Sequence, residues 1–316
     1  MSLAPQAKRA LRIALWAIFS MALVAGIGIW WIAHDEPLLP EVEAALRFDP
    51  PTPEVMRDNG YFTMLGLGAP PEEDALAAGQ RFFAAQVKDY EEYQRAGNLE
   101  KSSAYDAFPH QSIIMEPIRC DATADDCYAH YLENAQAIKD KLAGQKVLVE
   151  RYLSLRDKPD YEEINQSPCA ACALPYFSYV AAASELTTMR AALLLNDGHV
   201  DEALTLLETN AKIHRKMMEG ARTLVGAMIA LAMDMRQQRL ISSALRHVPA
   251  LSADHAQRLD ALVQSSAPVP LTAALEYEMK FQLAFFSTLQ PTADVISLDL
   301  EHADTERELG SWLQNR

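Results

Sequence analysis

The sequence lacks every short motif that would specify a reaction. It has no G-x-S-x-G nucleophile elbow, no phosphate-binding P-loop, no H-E-x-x-H zinc site and no G-x-G-x-x-G dinucleotide fingerprint. These absences leave no enzyme class and no cofactor to name. They favour a non-enzymatic role, although they do not exclude an enzyme that uses none of these motifs.

Glycine is scarce, with 12 residues among 316, whereas alanine and leucine are abundant. Alanine and leucine are strong helix formers, and a chain with little glycine has few tight turns between short strands. No pair of strand patterns is evident either. We therefore predict an all-α protein, whose ectodomain is an antiparallel α-helical array with short connections.

Basic residues are too few to balance the acidic ones, since 28 Lys and Arg stand against 43 Asp and Glu for a net charge of −15. A surface of this sign repels nucleic acid and anionic lipid headgroups. We expect no nucleic-acid partner. The acidity favours solubility, and a basic partner is the alternative explanation.

One stretch, residues 13–32, contains no charge at all. Twenty helical residues span about 30 Å, the hydrocarbon thickness of a bilayer. Lys8, Arg9 and Arg12 precede the stretch and acidic residues follow it. The positive-inside bias therefore predicts a transmembrane anchor at 13–33, a cytoplasmic N-terminus at 1–12 and an exported remainder. A cleaved signal peptide is the alternative, and the late first cysteine, Cys120, excludes a lipoprotein anchor.

All four cysteines follow the predicted anchor and would lie in an oxidising compartment. An even number of cysteines there predicts disulfides, and the spacing favours the pairs Cys120–Cys127 and Cys169–Cys172. Two alternatives remain open. Cys169 and Cys172 form a C-x-x-C pair that could be redox-active, and all four cysteines together have the right ligand count for zinc.

Composition divides the exported chain into three parts. Residues 34–72 are rich in proline and predict a stiff stalk or linker, with a short apolar segment at 61–67 that docks on the main body. Residues 73–173 predict a helical subdomain with both cysteine pairs, and residues 174–316 predict a helical-hairpin subdomain. Apolar periodicity and stop signals predict helices at about 72–96, 125–155, 174–198, 199–220, 221–248, 252–265, 271–289 and 304–313. The helix at 221–248 is predicted to bury Leu224, Met228, Leu231 and Met235.

The segment 191–204, AALLLNDGHVDEAL, resembles the turn and second helix of a tetratricopeptide repeat. In that family a glycine closes the first helix of each unit, and an Asp-Glu-Ala-Leu-type segment opens the second. The resemblance covers one unit, at about residues 184–213. It implies a helical hairpin of that geometry and a role in binding peptides or proteins, and it implies no catalytic residue.

Glu278 is the weak candidate for a catalytic residue. It shares a predicted helix face with Ala274 and Phe281, and a carboxyl group among aromatic rings has a raised pKa. Such a group can act as the general acid of a glycan-cleaving enzyme if a second carboxylate faces it. The alternative interpretation is an ion pair with Arg222 or Arg236.

Two further patterns have a plain structural interpretation. His214 falls on an apolar stripe and is predicted to be a hydrogen-bonded core residue, with a metal ligand as the alternative. Asp121, Asp125 and Asp126 crowd the loop of the first cysteine pair. They predict a solvated acidic loop, because the glycine and glutamate of a calcium-binding loop are missing.

The function that these patterns favour is that of a membrane-anchored extracytoplasmic helical interaction or scaffold module, an accessory subunit of an envelope complex. Its expected partners are the membrane, through the single-pass anchor, and a protein in the envelope. The expected location is the bacterial inner membrane, with the C-terminal domain in the periplasm. The alternatives are a cell-wall hydrolase with Glu278 as general acid, and a redox accessory protein using the C-x-x-C pair.

Overall fold

The structure is a computed structural model, which describes residues 16, 19–21, 23–27, 40, 51–96, 102–106, 113, 115, 118–120, 126–164, 172–247, 251–265 and 271–288. The chain forms two units, of which the first comprises residues 1–46 and 289–316 and the second residues 47–288. The predicted last helix at 304–313 lies outside the described residues. The architecture below is that of the second unit.

The transmembrane part of the predicted fold class is corrected by the structure. A helix that crosses a bilayer needs about 20 consecutive, mostly apolar residues. Over the residues that the structure describes, no helix has the length and apolar character to cross a membrane. Within 13–33, residues 16, 19–21 and 23–27 are helical, and the rest of that stretch lies outside the described residues.

The all-α part of the prediction is confirmed, because the structure is mostly helical. A lone bridge between Asn59 and Asp160 is the β pairing found among the described residues. Two short 3-10 helices cover Ser103–Asp106 and Leu155–Asp157. Eleven α-helices are described between residues 51 and 288: α1 Pro53–Asp58, α2 Gly60–Leu65, α3 Ala75–Ala96, α4 Cys127–Glu133, α5 Ala135–Gly144, α6 Lys146–Ser154, α7 Phe177–Asn196, α8 Val200–Gly220, α9 Leu224–Ala244, α10 Ala253–Ser265 and α11 Thr272–Thr288.

Local side-chain caps set several of these helix ends. The Asp126 carboxylate accepts from the Ala129 amide at 2.9 Å and begins α4, and the Thr223 hydroxyl accepts from the Gly226 amide at 3.0 Å and begins α9. The predicted helix at 125–155 is three helices, α4 to α6. Its breaks fall at Asn134 and Gln145, two positions that the apolar period does not mark.

The hairpin of α7 and α8 turns at Gly198, whose φ of +80° lies in the left-handed region that glycine adopts without a Cβ clash. The two helices contain 20 and 21 residues and pack against each other along their length. The assignment of this hairpin to the tetratricopeptide class stays a prediction.

Helix α7 is the centre of the second unit. Fourteen of its 20 residues are buried, as expected of a helix with apolar residues all around its axis. On one side it shares a core with α2, α3 and α6, which includes Phe62, Phe82 and Tyr152. On the other it shares a core with α4, α8 and α9, which includes Leu204 and Leu240. The predicted boundary at 173/174 falls inside this unit.

The end of the predicted stalk belongs to the first of these cores. All six residues of α2 are buried, and Leu67 and Ala69 follow them into the interior. Asn59 fixes the segment, since its amide donates to the Glu162 carbonyl at 2.6 Å and its side-chain oxygen accepts from the Glu162 amide at 2.9 Å. The docking expected for residues 61–67 is therefore confirmed.

Helix α9 faces the other way from the prediction. Met228, Leu231 and Met235 are 66%, 48% and 51% exposed, so the expected burial of this stripe is wrong. The first half of α9 is apolar on every side, so its hydrophobic periodicity does not predict which face is buried. Asp234 and Gln237 decide the orientation, because both are buried with polar groups of neighbouring helices.

Candidate functional site

Glu278 lies half-buried on α11. Neither of its expected ion pairs forms within the described part of the chain, because Arg222 instead binds Glu162 and Arg236 has no carboxylate in salt-bridge range. The two cavities with described linings do not include Glu278. Its role as a general acid stays a prediction.

Glu163 is a buried carboxylate that the sequence did not reveal. Its Oε2 accepts from the Arg222 amide at 2.9 Å, the Thr223 amide at 2.8 Å and the Thr223 hydroxyl at 2.9 Å. Burial raises the pKa of Glu163 above the ordinary value, and these three donors offset only part of that rise. Because all three donors belong to the start of α9, Glu163 anchors a helix end rather than facing a substrate.

The three described cysteines are held in disulfides. Cys120 and Cys127 are bonded, with their Cα atoms 5.4 Å apart, in agreement with the predicted pair. Cys172 is also disulfide-bonded, and Cys169 lies outside the described residues. A sulfur in a disulfide is no thiolate ligand, so these bonds oppose the zinc alternative. No group of metal-binding side chains is found among the described residues.

Ser184, His214 and Asp234 meet in the core in the order of a catalytic triad. The His214 Nε2 lies 2.7 Å from the Ser184 Oγ, and the His214 Nδ1 lies 3.8 Å from an Asp234 carboxylate oxygen. The second distance is too long for a hydrogen bond. Burial lowers the pKa of His214, and the nearby Asp234 only partly opposes this effect. The expected hydrogen-bonded core histidine is thus confirmed.

Burial decides against a catalytic role for these three residues. His214 is fully buried, and neither Ser184 nor the other two residues line a described cavity. An acyl-transfer nucleophile must be reached by its substrate, whereas Ser184 is only 2% exposed. A neighbouring network has the same structural character: the Asn210 amide donates to Gln237 at 2.8 Å and to Thr188 at 3.1 Å, and Tyr152 donates to Asn210.

A cleft of about 280 Å³ opens between the loop after α2 and the start of α6. Leu67, Leu148 and Tyr179 form apolar walls, and Lys146 and Arg151 contribute positive charge. No sequence pattern pointed to it, because its walls come from segments about 80 residues apart that meet through the Arg151 contacts and a shared apolar core.

The outward face of α9 is a second candidate, which we call the α9 stripe: Val225, Met228, Leu231 and Met235. Its side chains are 45–66% exposed, an unusual property for four large apolar residues at helical spacing. Helix α11 packs on the start of α9 through Ala274, which lies in one apolar cluster with Ala227 and the half-buried Leu224. Leu275 and Met279 of α11, and Leu271 just before it, are exposed at every fourth position.

Comparisons with known proteins leave these two surfaces without a precedent. No protein-family model matches the chain, and no curated protein or solved structure is significantly similar to it. The functional argument therefore rests on the geometry alone.

Proposed function

We propose that this protein is a helical interaction module that binds an amphipathic helix of a partner protein on the α9 stripe. The observation that carries the proposal is the outward orientation of Val225, Met228, Leu231 and Met235. Apolar side chains at this spacing match the contact pattern of a helix laid along a groove. Methionine adapts its shape to varied partners, which suits a binding surface.

The position of α11 supports a helix as the occupant. Helix α11 already packs on the start of α9 through Ala274, and the stripe continues beyond that contact to Leu231 and Met235. A partner helix would extend the same helix-on-helix packing. The α9 stripe therefore lies next to the surface on which α11 already packs.

The charges beside the α9 stripe favour a partner helix whose apolar face is bordered by acidic residues. Arg236 and Arg239 are partly exposed on α9 and form no ion pair with the part of the chain that is described. The one acidic residue of α9, Asp234, is buried. A helix with glutamates beside its apolar face would place opposite charges together, which favours correct pairing.

The expected setting is an oxidising compartment outside the cytoplasm, where the Cys120–Cys127 disulfide would persist. This location, together with the role of accessory subunit in an envelope complex, belongs to the proposal. The hydrolase alternative has no supporting geometry at Glu278.

A designed peptide tests the proposal. The probe is an amphipathic helix of about 18 residues, or about 27 Å, with leucines on one face bordered by glutamates. We expect saturable binding by the full-length protein, weakened at least tenfold by Met228→Lys with Met235→Lys. The matched control replaces the exposed polar residues Arg215 and Glu219 of α8 with lysine and glutamine.

Three results would overturn it. The peptide fails to bind, or the double lysine variant binds it as well as the wild-type protein does. In the third, the protein forms a dimer that the same double variant dissociates, which would assign the stripe to a second copy of the chain. Circular dichroism of each variant checks that the fold is retained.

A further inference from the structure

The cleft between the loop at Leu67–Pro71 and the start of α6 shares no lining residue with the α9 stripe, and Arg151 helps to hold its loop wall in place. Arg151 of α6 donates to the Ala69 carbonyl at 2.6 Å and the Pro70 carbonyl at 2.8 Å, and it also contacts the Glu73 carbonyl. These bonds hold the loop beside α6. Two consecutive prolines, Pro70 and Pro71, stiffen that wall further.

The wall opposite the prolines is open. Gly144 lines the cleft at the end of α5, and a Cβ added there would meet no atom within 4 Å. The loop side is tightly packed by contrast, since a Cβ at Gly68 would lie 2.1 Å from the Tyr179 ring. The loop wall of the cleft is therefore tightly packed against Tyr179.

The polar groups at the cleft are donors. Lys146 is 74% exposed, and its nearest carboxylate, that of Glu150, is 3.8 Å away in an exposed pair of small energetic value. The Gln145 side chain makes no hydrogen bond to the described residues. Arg151 adds a positive charge whose hydrogen bonds go to carbonyl oxygens.

Acidic residues are missing from this lining. The chain has 43 Asp and Glu, yet none appears among the described residues that line the cleft. Beyond the lining, Glu73 pairs with Arg81. Burial lowers the pKa of Arg151, and Asp74, Glu73 and Glu72 are close enough to raise that pKa against the effect of burial. These carboxylates offset the charge of Arg151, so Lys146 and the side-chain amide of Gln145 are the donors that an anion in the cleft would meet.

We propose that this cleft binds an apolar carboxylate, with the carboxylate at Lys146 and Gln145 and the apolar body against Leu67, Leu148 and Tyr179. The volume of about 280 Å³ is close to the lower end of ligand pockets, at about 300 Å³. It accommodates a small aryl or alkyl acid, or the last residue of a peptide with its free C-terminal carboxylate. Both sources share the same recognised chemistry.

Calorimetric titration of the full-length protein with 3-phenylpropionate tests the site, and the neutral 3-phenylpropanamide is the matched ligand. We expect saturable binding of the acid, about fivefold or more tighter than the amide, because a charged hydrogen-bond partner adds more than about 1 kcal/mol. Lys146→Gln should make the affinities for 3-phenylpropionate and 3-phenylpropanamide similar. Lys139→Gln, an exposed substitution on α5, should leave their ratio unchanged.

Filling the cleft is the second arm. Gly144→Trp should abolish binding of 3-phenylpropionate, because Gly144 lines the cleft and has room for an indole there, whereas Gly144→Ala is too small to block the site. Both changes replace glycine with a better helix former, so the fold should persist. Circular dichroism and thermal unfolding check this, and a failure of Gly144→Trp to fold would leave Lys146→Gln to decide.

The peptide Ala-Ala-Ala-Phe distinguishes the two sources. Tighter binding than 3-phenylpropionate, lost on C-terminal amidation, would assign the cleft to a peptide terminus, and the reverse order would assign it to a small acid. The proposal is overturned if no acid saturates the protein at about 10 mM. It is equally overturned if the amide binds as well as the acid, or if a folded Gly144→Trp variant binds normally.

Discussion

The imidazole of His214 on α8 and the hydroxyl of Ser184 on α7 are 2.7 Å apart and are both buried between the two helices. The other imidazole nitrogen, Nδ1, has no hydrogen-bond partner within the described structure, since Asp234 stands 3.8 Å away. The bond to Ser184 is thus the hydrogen bond that keeps the histidine satisfied in the core.

The first prediction is that Ser184→Ala destabilises the protein by about 1–3 kcal/mol, because it leaves the His214 Nε2 buried without a partner. Urea unfolding measures the change. Ser242→Ala, at an exposed position of α9, is the matched control and should change the unfolding free energy by less than about 0.5 kcal/mol. An equally small change for Ser184→Ala would contradict this account.

The second prediction concerns pH. Burial lowers the pKa of His214 in the folded protein, whereas an unfolded histidine titrates near about 6.5. The unfolded state therefore binds the proton first, and stability falls as the pH drops below about 6.5, by at most about 1.4 kcal/mol per pH unit for this group. His214→Gln should flatten the profile between about pH 6.5 and 5.5. Parallel profiles for the two proteins would show that His214 does not cause the loss.

The third prediction compares two contributions of Glu163 to stability: its hydrogen-bond acceptor and its negative charge. Glu163→Ala removes the acceptor from the Arg222 amide and both Thr223 donors and should cost about 3 kcal/mol or more. Glu163→Gln keeps an accepting oxygen and removes a buried charge, so it should cost much less. Urea unfolding of both variants at neutral pH provides the comparison. Equal losses would mean that the negative charge itself anchors α9.

The fourth prediction concerns the Cys120–Cys127 disulfide. The two residues are 7 positions apart, and the chain-entropy model gives a loop of this length about 2–3 kcal/mol. Replacing both cysteines with alanine should lower the unfolding free energy by that amount. A reductant should lower the stability of the wild-type protein more than that of the double variant, which keeps the bond at Cys172. A reductant effect of the same size in both would assign the loss to the bond at Cys172.

Features of this fold that depend on neighbouring residues can be predicted from the sequence, whereas features that depend on distant residues cannot. Helix ends at Gly198 and Ser252 were predictable, because a left-handed glycine and a side-chain cap act within a few residues. The place of Glu163 was not, because its donors lie about 60 residues further along the chain. The cleft beside Arg151 was not predictable either, because its contacts join residues that are similarly far apart in the sequence.

Helix α9 shows why an apolar stripe alone does not identify a buried face. The stripe at Met228, Leu231 and Met235 and the opposite face at Ala227, Ala230 and Met233 both satisfy the helical period. The polar residues between them were the informative ones. Asn210 on α8 donates to Gln237 on α9, and such partners on another helix cannot be read from one helix alone.

The last prediction uses this two-faced helix. Met228→Lys places a charge at a side chain that is 66% exposed, so the unfolding free energy should change by less than about 0.5 kcal/mol. Met233→Lys, on the same helix, buries an unpaired ammonium in the core and should prevent folding or cost more than about 4 kcal/mol. Thermal unfolding of the two variants gives the comparison. A large loss for Met228→Lys would mean that the stripe is covered within the protein, and its proposed role as a binding surface would fail.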